Sequence, residues 1–368
     1  MNPRQARMWP MKFLAGVLLF AVTASNSAAA EPRQRSGHPS INGGDLGEVL
    51  GLSQPESVRS ILLLYTGKSI SKPKAAELES GLKQSPDKID DRLTLIGYYT
   101  SNAHDGLDKL RLRAHVLWMI GNHPEHPATA EPSLRDLPDD PDGNMQVLQL
   151  WEHNLESRSE DVAVLKNAEK FFFGKDPGAA ERLIHRIAEK EPANPQWAAE
   201  LAQLYRMFGI PGVNIENPAE RTLEEYNRVL ALTENPAARR SLSGDMADAA
   251  FKIGDFPAAA ELAKIYLKTS DRPAVQRANT ILGRVALRSG DVTSAKKYLL
   301  NSADSGAGRD IAFSGPILIL AKELFERGER EIVLQYLDNC LTLWPRGEAI
   351  LRIWISEIQQ GKTPNFGN

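Results

Sequence analysis

Three stretches hold side chains of the right type for chemistry. His123-Pro124-Glu125-His126 sits downstream of His115. Two histidines with a glutamate between them are a common zinc ligand set. Prolines stiffen this run, however, and no helix puts both imidazoles on one face, so the geometry opposes a metal site. Asp140-x-Asp142-x-Asn144 opens like a calcium loop. Such a loop needs glycine at its sixth position and glutamate at its twelfth; Met145 and Trp151 stand there instead, and Gly143 comes too early. An ordinary acidic turn is expected. Ser305-Gly306-Ala307-Gly308 lacks the lysine and the preceding strand of a phosphate-binding loop. There is no Gly-x-Ser-x-Gly elbow. The carboxylates are scattered over polar faces, with no spacing that pairs two as acid and base. The sequence therefore predicts no catalysis and no metal or other cofactor. A carbohydrate-active or other envelope enzyme on the same helical-repeat scaffold is the alternative, and it would need two carboxylates converging in a cleft.

The elements that would position any site are helices. Ile317, Leu320, Ala321 and Leu324 form one stripe, Gly328 punctuates, and Val333, Leu337, Cys340, Leu341 and Trp344 form a second before Pro345. Two short amphipathic helices joined by a tight turn cannot bury their apolar faces alone. Neighbours of the same kind recur upstream. Val164, Asn167, Ala168 and Phe171 reappear 34 residues later as Ala198, Leu201, Ala202 and Tyr205. Second stripes follow: Ala180, Ile184 and Ile187 before Pro192, then Tyr226, Leu230 and Ala231 before Pro236, after an insertion from Gly209 to Ala219. Met246, Ala247, Ala250, Ala259, Ala263 and Tyr266 make a further unit, and Leu282, Gly283, Ala286, Ala295 and Leu299 another. The turn glycines Gly254, Gly290 and Gly328 are 36 and 38 residues apart. A period in the mid-thirties marks stacked helical hairpins. Single Cys340 lies on an apolar stripe and is expected to be inert packing.

These positions resemble the tetratricopeptide repeat family. Leu201-Ala202-x-x-Tyr205, Leu282-Gly283, Ala231, Ala259, Ala295, Pro192, Pro236 and Pro345 fit its pattern, although the leading aromatic is mostly missing. The resemblance implies an all-α fold, an α-α superhelix (solenoid) of tetratricopeptide-like hairpins with a concave groove lined by the first helix of each pair. It also implies that exposed groove positions hold a protein or peptide partner. Here those positions are Glu169 and Phe172, Gln203 and Arg206, Asp248 and Phe251, Arg284 and Arg288, and Lys322 and Phe325. Interleaved aromatics and cations suit an extended peptide. The competing expectation is that the phenylalanines pack on the next hairpin and the charges only solvate the face. Self-association of a structural scaffold is another alternative.

The remaining segments follow from composition. Arg4, Arg7 and Lys12, an apolar run from Phe13 to Val22 and Ala28-Ala29-Ala30 predict a Sec-type signal peptide over 1–30, with Met11 an alternative start. The apolar run is too short to span a bilayer comfortably, so no transmembrane span is expected after cleavage. Cleavage takes three of 44 basic residues, leaving 41 against 47 acids, a net charge of −6. That balance does not favour nucleic acid. The expected location is periplasmic or secreted. Residues 31–56 read as a flexible leader, 57–126 as divergent helical hairpins, 127–143 as a Pro/Asp-rich surface loop, and 144–360 as the repeat array. That array ends in a capping helix, with 361–368 as a tail. In the first divergent hairpin Val58, Ile61, Leu62 and Tyr65 share a face.

Overall fold

A helix with one apolar stripe needs another helix to cover it, and in this chain the cover comes mostly from the next helix in sequence. The computed structural model describes residues 56–102, 105–209, 215–233, 236–269, 272–303 and 315–366. The expected signal peptide and nearly all of the leader lie outside these residues. The described residues contain α-helices and two short 3-10 turns, with no strand among them.

The first four helices are α1 (Glu56–Gly67), α2 (Lys72–Gln84), α3 (Ile89–Asn102) and α4 (Gly106–Asn122). A 3-10 turn at Pro127–Ala130 and a one-turn helix α5 (Pro132–Arg135) lead into α6 (Pro141–Ser157). Paired helices follow: α7 (Val162–Phe172) with α8 (Pro177–Lys190), α9 (Pro195–Phe208) with α10 (Pro218–Leu232), and α11 (Pro236–Lys252) with α12 (Phe256–Leu267). Then come α13 (Arg272–Arg288) with α14 (Val292–Ala303), and α15 (Ile319–Glu326) with α16 (Arg330–Leu343). The final helix, α17 (Glu348–Gln359), packs on α16. The fold is an all-α solenoid of helical hairpins.

Local chemistry sets the boundaries. Asp105, Asp140, Asp161, Asp176, Asn194 and Asp255 each accept a hydrogen bond from a backbone N–H of the first turn. Proline occupies the first turn of α6, α8, α9 and α10, where its missing N–H costs nothing. Gly254, Gly290 and Gly328 have φ of 84°, 82° and 86°. At each, the N–H of the following residue reaches back to a helix carbonyl: Asp255 to Ala250, Asp291 to Ala286, and Glu329 to Leu324. These three identical turns fold α11 onto α12, α13 onto α14 and α15 onto α16.

Stripe residues named from the repeat fill the interior. Val164, Ala168, Phe171, Ala180, Ile184, Leu201, Tyr205, Ala247, Ala259, Ala295, Leu320 and Leu337 are all buried. The apolar clusters they belong to are stitched by side chains shared between neighbours: Leu223 and Leu262 at one seam, Tyr298 at the next. Cys340 is fully buried beside Tyr336, and burial pushes its thiol up to about 12.

The N-terminal part departs from expectation. In α1 the stripe of Val58, Ile61 and Tyr65 is exposed, Tyr65 at 69%, while Ser60, Leu64 and Gly67 are buried. The reason is a backbone contact with α3. A Cβ on Gly97 would lie 2.0 Å from the Leu64 carbonyl oxygen, and one on Gly67 would lie 2.1 Å from that of Thr94. The glycine face thus takes the inside and turns the larger side chains out. In α4 the buried face is Leu112, His115, Val116, Met119 and Ile120, while Leu107 and Leu110 are exposed. His115 sets that register. Its Nδ1 lies 3.2 Å from an Arg92 Nη1 that donates to it, and its Nε2 lies 3.1 Å from Glu79, which also accepts from the Tyr99 hydroxyl. Arg92 lies 3.7 Å over the Trp118 ring.

The stretch 127–143 is not a surface loop. Ala128, Thr129, Leu134 and Leu137 are buried, and Pro127, Pro132 and Pro141 start helical turns. Asp140 caps α6 and pairs with Arg113. In α17, Leu351, Trp354 and Ile358 are buried, but Ile350 faces outward.

Because α1 and α3 meet at backbone distance, Gly97→Ala is expected to destabilise the chain by about 1–3 kcal/mol in denaturant unfolding. Gly106→Ala, where nothing lies within 4 Å of the new methyl, should leave the transition in place.

Candidate ligand-binding groove

The first helices of successive pairs, α7, α9, α11, α13 and α15, carry the residues proposed from sequence. Their charges are set against one another across the joints. Lys170 of α7 reaches Glu200 of α9 at 2.7 Å. Arg206 of α9 lies 3.7 Å from Asp245 of α11. Arg277 of α13 holds two carboxylates of α11, Asp245 through Nη2 at 2.7 Å and Asp248 through Nε at 2.7 Å. Burial alone would depress the Arg277 guanidinium, but Asp248 and Asp245 reverse this and push it up. Arg284 and Arg288 of α13 share one oxygen of Glu323 on α15, at 3.0 and 3.1 Å.

The phenylalanines are not open platforms. Phe172, Phe251 and Phe325 are 6%, 8% and 7% exposed. Phe172 packs edge-on against Phe171, Phe251 against Phe256 of the second helix in its own pair, and Phe325 against Phe366 beyond α17. Arg284 covers the remaining face of Phe251, with its guanidinium carbon 4.2 Å from the ring centre. Each phenylalanine lies at the end of a first helix, where the chain turns back and closes over it. Glu169 is fully buried. Gln203 is half-buried beside Met207, and Lys322 is half-buried on α15.

One cleft, of about 190 Å³, opens between α9, α10, α11 and α13. Arg206 and Asp248 line it, as do Asp245, Lys252, Tyr205 and Arg277. Gly209, Pro218 and Thr222 complete the wall from the edges of the sequence insertion. Tyr205 is fixed from behind: its hydroxyl donates to Glu181 at 2.9 Å, and Arg221 stacks on its ring at 4.1 Å. Burial and the Glu181 carboxylate push the Tyr205 phenol up, so it stays neutral. The Tyr226 hydroxyl donates to Asp245 at 3.1 Å. Lys252 is exposed and makes no ion pair among the described residues. The cleft therefore sets three cations, Arg206, Lys252 and Arg277, against two aspartates, with Asp245 between Arg206 and Arg277 and Asp248 on Arg277.

Residues 245–309 match the family model for the tetratricopeptide repeat. That segment carries the tetratricopeptide repeat. The match spans α11 to α14, which includes two of the three glycine turns. No curated protein matches the chain. Tetratricopeptide repeats are protein-interaction scaffolds, typically without catalysis. No described helix is long and apolar enough to cross a membrane.

Sequence reading missed Asp245, Lys252, Arg277 and Glu323. The repeat period held a signal for two of them, since Arg277 lies 32 and 29 residues beyond its aspartates, near one repeat unit away. The suspected metal ligands do not converge. His126 caps the 3-10 turn and pairs with Glu56 at 3.1 Å, His123 lies beside Glu125, and His115 belongs to the α2–α4 network.

Replacing Phe251 with alanine should lower the unfolding free energy by about 3–5 kcal/mol, since it removes a buried ring. Lys252→Ala, at an exposed end with no ion pair, should change it by under about 0.5 kcal/mol. Denaturant midpoints of the two variants would separate a packing residue from a groove residue.

Proposed function

We propose that this chain is an exported, non-catalytic scaffold of the cell envelope that holds a protein or peptide segment along its first-helix face, anchored in the cleft at Arg206 and Lys252. The observation that carries the reading is the imbalance in that cleft. Three cations there, Arg206, Lys252 and Arg277, face two carboxylates, Asp245 and Asp248, so a carboxylate arriving from a partner meets one net positive charge. Charge-assisted contacts in a partly enclosed cleft are stronger than exposed ones. The partner is therefore a segment carrying acidic side chains, with its chain running over α9 and α11. Export is supported by the N-terminal basic, apolar and small-residue pattern of the sequence.

A second reading, self-association through an end hairpin, is favoured by the exposed Val58, Ile61 and Tyr65 of α1. A mass that rises with concentration in light scattering, and falls with Tyr65→Glu, would support it.

The main reading is tested by Arg206→Glu combined with Lys252→Glu, with capture from an envelope fraction as the readout. Capture should be lost while the helical circular dichroism and unfolding midpoint stay near the parent values. Unchanged capture would remove the cleft from the function.

A further inference from the structure

Glu169 carries a carboxylate with no exposure at all, in the middle of α7. Among the described residues neither of its oxygens accepts a well-directed hydrogen bond. Its closest opposite charge is its own neighbour, Lys170, whose Nζ lies 2.9 Å from Oε2. That same ammonium is 2.7 Å from Glu200 of α9. One half-buried lysine thus serves a fully buried carboxylate and a mostly buried one. Glu200 takes a further bond at 2.9 Å from Gln196 of its own helix.

The setting is a seam. Arg135 of α5 donates through Nη1 to the Lys170 carbonyl at 3.0 Å, and its Nε is buried with no hydrogen-bond partner among the described residues. Glu131, at the start of α5, whose carboxyl burial raises, and Asp136, just past its end and paired with Lys175, are the other charged groups there. The remaining helices packed on α7 engage charges elsewhere. Arg158, following α6, pairs with Glu125 and Asp161. In α8, Glu181 pairs with Arg221, Lys190 with Glu160, and Arg186 donates to the Ser159 carbonyl. The groups facing Glu169 are therefore Lys170, Glu200, Arg135 and, through Arg135, Glu131 and Asp136.

We propose that Glu169 is a proton-sensitive strut between α5 and the start of the repeat array, and that proton uptake tightens this seam. With Glu169 ionised, the Glu169–Lys170–Glu200 triad holds a net charge of −1, with the Glu169 carboxylate fully enclosed and Lys170 half-buried. With Glu169 protonated, the triad becomes a neutral Lys170–Glu200 pair, and the new O–H can donate to Glu200. Burial and the like charge of Glu200 push the Glu169 carboxyl up to about 7, against Lys170, which opposes the shift. The folded chain then binds this proton more tightly than the unfolded one. Stability contributed by the protonated form is complete below the ordinary carboxylate range. It is lost as pH rises through about 7.

The test uses the full chain, Glu169→Gln and Glu200→Gln. Thermal midpoints would be followed from pH 5 to 8.5, with hydrogen exchange of 132–135 and 162–172 corrected for intrinsic rate. The parent midpoint should fall across neutral pH, and protection in both segments should fall with it. Glu169→Gln should flatten both profiles and exceed the parent midpoint at pH 8. Glu200→Gln removes the like charge, so the parent-type fall should begin at lower pH. A Glu169→Gln profile that runs parallel to the parent, or a Glu200→Gln profile that does not move, would overturn the proposal. If Glu169→Gln does not fold at pH 8, where it should be the more stable form, the proposal fails as well.

Discussion

Two helices can approach until their backbones touch only where side chains are nearly absent, and this steric limit governs the whole array. At α1 and α3 the limit is reached with glycine on both sides. In the repeats it is met by alanines: Ala247, Ala250, Ala259, Ala263, Ala278, Ala295 and Ala321 are at most 1% exposed. Gly244 and Gly283 admit the Tyr266 ring and the Leu320 side chain at distances no Cβ would allow. Close packing of this sort makes each pair depend on its neighbours, because the small residues of one helix are covered by the large residues of the next.

Electrostatics adds a second tie along the first helices. Lys170, Arg206, Arg277, Arg284 and Arg288 each meet a carboxylate on the next or previous first helix. These pairs link elements 29–39 residues apart, so they hold the spacing between repeats. They also neutralise most of the face on which a partner would lie.

How much of this was legible depended on whether a residue's role is local or set by a neighbour. The glycine turns were legible because positive φ is a property of the chain itself, and all three fell where spacing put them. The stripes of α7 to α9 and α11 to α16 were largely legible because period and burial agree, whereas in α10 Val229 is buried with Tyr226 and the expected Ala231 is exposed. The stripe of α1 was not, since a Gly67–Gly97 contact between separate helices decided which face turned inward. The 127–143 stretch looked like a linker by its prolines, yet three of the four begin helical turns and Leu134 and Leu137 anchor it. For the groove, position along the first helices was readable, and Arg206 and Asp248 do line the cleft. The exposure of Phe172, Phe251 and Phe325 was not readable. Whether a ring at a helix end faces solvent depends on how the returning chain closes over it.

The buried thiol of α16 has a practical consequence. Cys340 is the single cysteine of the chain, fully enclosed, and burial holds its proton well beyond physiological pH. An alkylating reagent can reach it only when α16 parts from the helices packed on it, α14, α15 and α17. Its modification rate would therefore clock the transient opening of the last hairpin. It would do so without an introduced label, and in a region distant in sequence from both the cleft and the Glu169 seam.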